Sequence, residues 1–280
     1  MKNRGLQSSL LPGFAQALRA EEKSEATTQK YLRDVRVFLG YTAGRRIDKE
    51  LTIVYKEQLA GQYAVNSANS MIAAANCFLR YIGRPDRCVK QFKTQKQLYC
   101  PEEKELTRAE YARLVRAAKS RHSERLTLLL ETICATGIRV SELQYITAQA
   151  VSRGEAAVTC KGKTRTVWLP LRLQKKLRQY LKQQRITVGP VFITRTGRPM
   201  NRSNIWREMK ALCERAGVAP TKVFPHALRY LFARTFYGIE KDIAKLADLL
   251  GHSSINTTRI YIATTGAEHR RKLEAMHLIL

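Results

Sequence analysis

The sequence predicts a mainly α-helical chain with one small β-hairpin, laid out as an N-terminal helical bundle followed by a larger α+β domain. Three observations carry that expectation. Apolar residues recur at helical spacing through most of the 280 residues. A period-two pattern is confined to residues 155–170. Between the helical regions, residues 91–106 are polar, first basic and then acidic, with no apolar period, as a linker between domains would be. The boundaries that follow are 1–96 for the first domain, 97–106 for the linker and 107–280 for the second domain.

In chain order, Leu10, Leu11, Phe14 and Leu18 open an apolar helix after a short loop. Ser24 to Thr28 supply N-caps for a second helix. Its Tyr31, Val35, Phe38 and Leu39 share one face while Lys30, Arg33 and Arg36 take others, and Gly44 with Arg45 and Arg46 breaks it. A third helix is expected from Lys49 to Tyr63, and a fourth from Ser67 to Ile82, stopped by Gly83-Arg84-Pro85. Thr107 and Glu110 have the spacing of a capping box that opens the second domain. Leu126 to Ala135 is apolar enough for a buried helix; Thr136-Gly137-Ile138-Arg139 then turns, and Val140-Ser141-Glu142-Leu143 starts another helix. Ala157 to Cys160 and Thr164 to Leu169 form a hairpin with Lys161-Gly162-Lys163 at its tip. Leu173 to Gln184 is helical, Val191-Phe192-Ile193 with Thr196 to Pro199 reads as a short strand and turn, and Asn204 to Ala216 is a helix capped by Gly217.

Composition narrows the function. Fifty Lys and Arg against 23 Asp and Glu give a net charge of +27, far more than a small-molecule enzyme requires. Nucleic acid or an anionic membrane surface are the usual partners of such a chain. No run approaches the length of a membrane span and the N-terminus lacks a signal-peptide apolar core, so nucleic acid in the cytoplasm is favoured over a membrane. The six cysteines form no C-x-x-C pair; Cys77, Cys134 and Cys213 sit in apolar helical contexts and read as buried hydrophobes.

The last forty or so residues gather chemistry. His226 and Arg229, three apart, share a helical face. His252 follows Gly251, where a buried helix ends, and Tyr261 lies about two turns further on. Two histidines, an arginine and a phenol could hold a phosphate and attack it. Taken singly, each histidine is more often structural, and Tyr261 is one of twelve tyrosines, picked out only by its place after His252.

Thr136-Gly137-Ile138-Arg139-Val140-Ser141-Glu142-Leu143, Lys161-Gly162-Lys163, His226-Ala227-Leu228-Arg229, Leu249-Leu250-Gly251-His252-Ser253 and Thr258-Arg259-Ile260-Tyr261 resemble the tyrosine recombinase (phage integrase) family, in its order and near its spacings. Each motif is weak alone; five in order are specific. The resemblance covers 107–280 by motif and 1–96 only by type, since the family carries a helical, SAM-like core-binding domain there. It implies a site-specific recombinase that cuts and rejoins DNA through a 3′-phosphotyrosine, for integration, excision or inversion. The implied catalytic set is Arg139, Lys161, His226, Arg229, His252 and Tyr261, with Lys163 as the alternative hairpin lysine and Glu142 orienting Arg139. Implied partners are double-stranded DNA with inverted-repeat core sites and three further copies, forming a homotetramer by exchange of the 267–280 tail; the implied location is cytoplasmic and nucleoid-associated. A type IB topoisomerase uses the same chemistry as a monomer, and a non-catalytic DNA-binding protein on the same fold is a further alternative.

The residue types suit that chemistry. Two guanidiniums can pair with the non-bridging oxygens of a phosphodiester, whose charge grows in the transition state. The phenol, with a free pKa of about 10, needs a base, for which His226 is the candidate. Lys161 would protonate the leaving 5′-oxygen, and His252 would donate to a non-bridging oxygen. With Arg and Lys supplying positive charge, no metal or other cofactor is expected. Arg165, Arg195, Arg198, Arg202 and Arg207 read as phosphate contacts or solvated side chains.

Overall fold

Short polar side chains set where the helices begin. The computed structural model describes residues 8–43, 45–94, 105–160, 162–262, 270–271 and 273–276. The chain divides into two units, Met1–Lys96 and Gln97–Leu280.

The first unit holds α1 (Leu11–Ala20), α2 (Glu25–Thr42), α3 (Lys49–Gln62) and α4 (Val65–Tyr81). Ser24 and Asp48 cap α2 and α3 by accepting the N–H of Thr27 and Leu51. The helices close on Phe14, Leu18, Val35, Phe38, Ile72, Phe78 and Leu79, all at most 1% exposed. Phe14 and Phe78 meet edge to face at 5.2 Å. Helix α4 begins two residues ahead of the expected Ser67, and Gly44 lies outside the described residues.

Two asparagines on α4 fasten the chain that leaves this bundle. Asn76 exchanges two hydrogen bonds with the backbone of Val89 (2.8 and 3.0 Å), and Asn69 does the same with Phe92 (2.9 and 2.8 Å). The spacings match physically. Seven helical residues advance about 10.5 Å, and three extended residues about 10 Å, so both amides meet the strand in register. What the composition presented as the start of a featureless linker is therefore pinned as far as Phe92.

The second unit begins with α5 (Arg108–Ser120), whose capping box is formed as expected by Thr107 and Glu110. Helix α6 (Glu124–Thr136) ends at Gly137, which is left-handed at φ 62°. The helix expected at Val140 is instead a 3-10 turn, Val140–Tyr145. Glu142 causes this: its N–H closes on the Arg139 carbonyl (2.8 Å) while its carboxylate takes the Arg139 N–H (2.9 Å). Helix α7 (Ala148–Arg153) leads into β1 (Glu155–Cys160), which pairs antiparallel with β2 (Lys163–Trp168) in a register from Glu155↔Trp168 to Cys160↔Lys163.

Helix α8 (Leu171–Gln183) follows. The strand expected at 191–193 reduces to isolated bridges, Thr147↔Pro190 and Ile193↔Pro199. Val191 and Phe192 are both buried, so the alternation a strand needs fails there. The helix expected over Asn204–Ala216 is broken into α9 (Arg202–Lys210) and α10 (Cys213–Ala216). Arg121 captures the Ala211 carbonyl at the break (2.9 Å), and Arg113 takes those of Ala216 and Gly217 at the end of α10.

The core of this unit runs from Leu106 through Leu129, Ile133, Leu143, Val158, Leu177, Phe192 and Ile205 to Leu228. The chain then supplies α11 (Pro225–Glu240), α12 (Ile243–Leu250), α13 (Ile255–Arg259) and a last 3-10 turn, Ile260–Ile262. Of the cysteines expected to be buried, Cys213 is, while Cys77 and Cys134 are half-buried. No helix among the described residues is long and apolar enough to cross a membrane.

The asparagine clamp gives a direct test. Asn76→Ala strands a buried N–H and C=O at Val89, and should lower the stability of the first unit by about 2–3 kcal/mol. Urea unfolding followed by tyrosine fluorescence would show an earlier first transition, with the second unit's transition unmoved.

Candidate active site

The site is built on the C-terminal end of α12. A helix leaves its last carbonyls without partners, and here each can be traced. Gly251, left-handed at φ 63°, lets its own N–H and that of His252 fold back onto Asp248 and Ala247 (3.0 and 2.9 Å). The next three carbonyls are taken by three arginines. Arg165 donates to Leu249 O (3.0 Å), Arg229 to Leu250 O (2.6 Å) and Arg139 to Gly251 O (3.1 Å). The helix dipole places partial negative charge at this end, which favours the cations.

Arg229 is the most buried of them, at 1% exposure. It projects from the start of the second turn of α11 and also donates to the carbonyl of Gly137, the cap of α6, so two helix C-termini converge on one guanidinium. Neither glycine accepts a side chain. A Cβ at Gly137 would stand 2.4 Å from Phe232, and one at Gly251 2.3 Å from Arg165. Burial draws the Arg229 pKa down to about 10, opposed by the Tyr261 phenol, which favours the cation.

Glu142 is the carboxylate shared by the other two arginines. It is 2% exposed, and holds Arg139 Nη1 on one oxygen (2.8 Å) and Arg165 Nη2 on the other (2.6 Å). Arg165 thus differs from its reading as a DNA contact or solvated side chain; it is an interior residue tying β2 to α12.

His252 accepts from Arg229 Nη2 at its Nε2 (3.1 Å), because arginine has only donors, and so its Nδ1–H donates to Thr258 Oγ1 (2.8 Å). This geometry differs from the expected one, in which His252 donates to an anion. That role requires the Arg229 contact to be exchanged for a phosphate oxygen and the tautomer to change. Burial first, and then Arg229, Arg139, Arg165 and His226, push its pKa down to about 4. His226 is also held below the ordinary imidazole range, by burial and then by Arg229, Arg139 and Arg202.

Tyr261 is 5% exposed and lies in a small cluster with Ala233, Leu246 and Leu250. Its ring stacks on Tyr230 at 4.4 Å, and its hydroxyl is 3.0 Å from His226 Nε2. With Nε2 unprotonated, the phenol donates to it. The structure therefore brings together Arg139, His226, Arg229, His252 and Tyr261. Lys161 lies outside the described residues, and Lys163 is placed by its backbone as the first residue of β2. Three residues of this cluster escaped sequence reasoning as site members. Tyr230 carried a usable signal, being one helical turn from His226, and Thr258 stood in the motif that ends at Tyr261; Arg165 carried none that separates it from surface polar residues.

Comparison with known proteins bears on the family and the fold. A family model described as the phage integrase family matches residues 104–268. Tyrosine recombinase XerA of Pyrococcus furiosus is 28% identical over 289 residues, covering 100% of this chain and 98% of the relative. A crystal structure of a XerA recombinase is 25% identical and covers 98% of this chain and 100% of its own, with a TM-score of 0.54. A lambda integrase tetramer bound to a Holliday junction shares the fold, with a TM-score of 0.72 at 17% identity over 90% of this chain and 76% of its own.

The depressed histidine predicts acid sensitivity. His252 binds its proton more readily unfolded, at the ordinary imidazole value of about 6.5, than folded, at about 4. The unfolded state therefore takes up more protons between those values, and the stability this residue contributes is lost as pH falls from about 6.5 towards 4. The urea midpoint of the second unit should drop between pH 7 and 5, and His252→Gln should flatten that drop.

Proposed function

The chain belongs to the phage integrase family and is a tyrosine-type site-specific DNA recombinase; we propose that Tyr261 is its nucleophile and that Arg139, Arg229, His226 and His252 form the phosphate site around it. The observation that carries this reading is the Tyr261 hydroxyl, held 3.0 Å from His226 Nε2 beside Arg229 and His252 of its own chain.

The residues divide the work. The shared Glu142 and the Gly251 carbonyl fix the Arg139 guanidinium with its remaining N–H groups turned to the third of its side chain that is exposed. Arg229 spends three of its five N–H groups on Gly137 O, Leu250 O and His252, and its Nε has no hydrogen-bond partner among the described residues. Its charge is met by carbonyl dipoles, with no carboxylate partner among the described residues, so three guanidiniums face the single carboxylate of Glu142 and the site carries two uncompensated positive charges. A scissile phosphodiester would offset one of them.

Tyr261 Oη attacks phosphorus as His226 Nε2 takes its proton. The P–O5′ bond breaks, and Lys161, or Lys163 in its place, protonates the departing oxygen. The guanidiniums stabilise charge on the non-bridging oxygens, as preorganised donors do elsewhere. The 3′-phosphotyrosine conserves bond energy, so the 5′-hydroxyl of another strand can reverse the step without a cofactor.

The proposed substrate is double-stranded DNA with inverted-repeat core sites, bound by a homotetramer. The net charge of +27 and a lambda integrase relative solved as a tetramer on a Holliday junction support this. In the tail, Leu273 and Met276 are each 55% exposed, which suits a segment that docks on a second copy; positions 277–280 lie outside the described residues.

On a nicked suicide substrate, wild-type protein should form a covalent DNA complex on a denaturing gel and Tyr261→Phe none; a band that survives in the variant would move the nucleophile elsewhere. Arg139→Ala should keep Tyr261 in place yet raise the barrier to cleavage by about 3–4 kcal/mol, read as single-turnover rate. Deleting 267–280 should leave DNA binding intact and abolish recombination, with unaltered recombination ruling out tail exchange.

A further inference from the structure

Arg165 stands four residues beyond Lys161 and two beyond Lys163 on β2. Its guanidinium reaches across to two other elements at once: Glu142 of the 3-10 turn (2.6 Å) and the Leu249 carbonyl at the end of α12 (3.0 Å). Its aliphatic stem lies where a side chain on Gly251 would have to go. The side chain is 14% exposed, so this is an interior tie and not a surface contact. On the opposite strand the Tyr145 hydroxyl donates to Thr159 O (3.2 Å), and Thr159 and Thr164 hydroxyls meet across the pair (3.0 Å). The base of the hairpin is held by the buried Ala156, Val158 and Val167. Towards the tip, Arg165 is the residue that binds β2 to the helix end on which Arg229 and Arg139 also close.

A two-stranded ribbon is marginal without such support. Two residues of strand span about 7 Å, so a small tilt of β2 at Arg165 displaces Lys163, and the tip beyond it, by a comparable fraction of a hydrogen-bond length.

We propose that Arg165 is a positioning residue of the cleavage step: by locking β2 onto Glu142 and the α12 terminus, it sets the hairpin so that its lysine meets the departing 5′-oxygen. The inference rests on reading that lysine as the general acid. Its signature is selective. A misplaced acid slows departure of an alkoxide but not of a leaving group that needs no proton. Replacing the bridging 5′-oxygen with sulfur provides one: Tyr261 forms the P–O bond, the P–S bond breaks, and the electron pair leaves on a thiolate, whose conjugate thiol ionises at about pH 8.5.

The experiment measures single-turnover formation of the covalent complex with paired 5′-oxygen and 5′-sulfur substrates. The proteins are wild type, Arg165→Gln, Arg165→Lys, Lys161→Ala and Lys163→Ala. Loss of acid catalysis costs about 10²–10⁴-fold, and loss of its alignment should cost part of that, roughly 10–100-fold. Both Arg165 variants should be slowed by that amount on oxygen and return to within a few-fold of wild type on sulfur, as should one of the two lysine variants. Recovery on sulfur also shows that the variant is folded. If a lysine variant recovers on sulfur while both Arg165 variants stay equally slow on both substrates, Arg165 acts on the arginines or on folding, and the inference is wrong. Wild-type rates of both Arg165 variants on oxygen would also overturn it. If neither lysine variant recovers, the general-acid reading itself fails and this inference with it.

Discussion

Everything at the site depends on how the C-terminal end of α12 is satisfied. Three guanidiniums meet its last three carbonyls, and one buried carboxylate serves two of those guanidiniums. Carbonyls give arginine its hydrogen bonds but carry no net charge, so the cluster is geometrically complete and electrically incomplete. Desolvating an ion costs several kcal/mol after relaxation, and the depressed pKa of Arg229 records part of that cost. A carboxylate against Arg229 would offset part of that charge and compete with a phosphate for it. In the proposed reaction the uncompensated charge is a receptor for an oxyanion that stands ready before DNA arrives.

The neighbouring choices follow from this arrangement. Gly137 and Gly251 must both be left-handed and both lack a side chain, because Phe232 and Arg165 occupy the space beside them. His252 is held neutral by burial first and then by the cations around it, and its tautomer is dictated by an arginine that can only donate. Tyr261 is placed by ring contacts with Tyr230, His226 and His252. Arginine serves as a helix C-cap elsewhere in the same unit, at Ala211 and Ala216. The use made of it at α12 is a common structural device put next to Tyr261, the proposed nucleophile.

Much of this was legible in the sequence where one signal dominated. Thr107 and Glu110 declare a capping box by spacing alone, and the apolar run from Leu126 marks a helix that is buried along Leu126 to Leu130 and at Ile133, although Cys134 is half-buried and Ala135 exposed. The order of the motifs brought five site residues together that lie over a hundred positions apart in the chain. Sequence reasoning missed where a distant side chain decides. Nothing near Ala211 announces that Arg121 will interrupt the helix there. The 3-10 turn after Arg139 follows from Glu142 folding back, which helix propensity does not register. Arg165 resembles any basic residue on a hairpin until Glu142 and Leu249 are seen to receive it. The asparagine clamp was hidden because a polar stretch without period is also what a free linker looks like.

The burial of Arg229 also bears on how dissolved ions act on the protein. Basic groups on the outer surface trade counterions with DNA, and each such contact weakens steeply as salt rises. A guanidinium at 1% exposure is shielded from bulk counterions, and in the proposed complex the few ångströms between it and the scissile phosphate would lie inside the roughly 8–10 Å screening length of an ordinary buffer. In that proposed complex docking and bond-making would be decoupled with respect to ionic strength. Raising the salt would thin the population of bound complexes but leave the field felt by the phosphorus atom in those that persist almost unchanged.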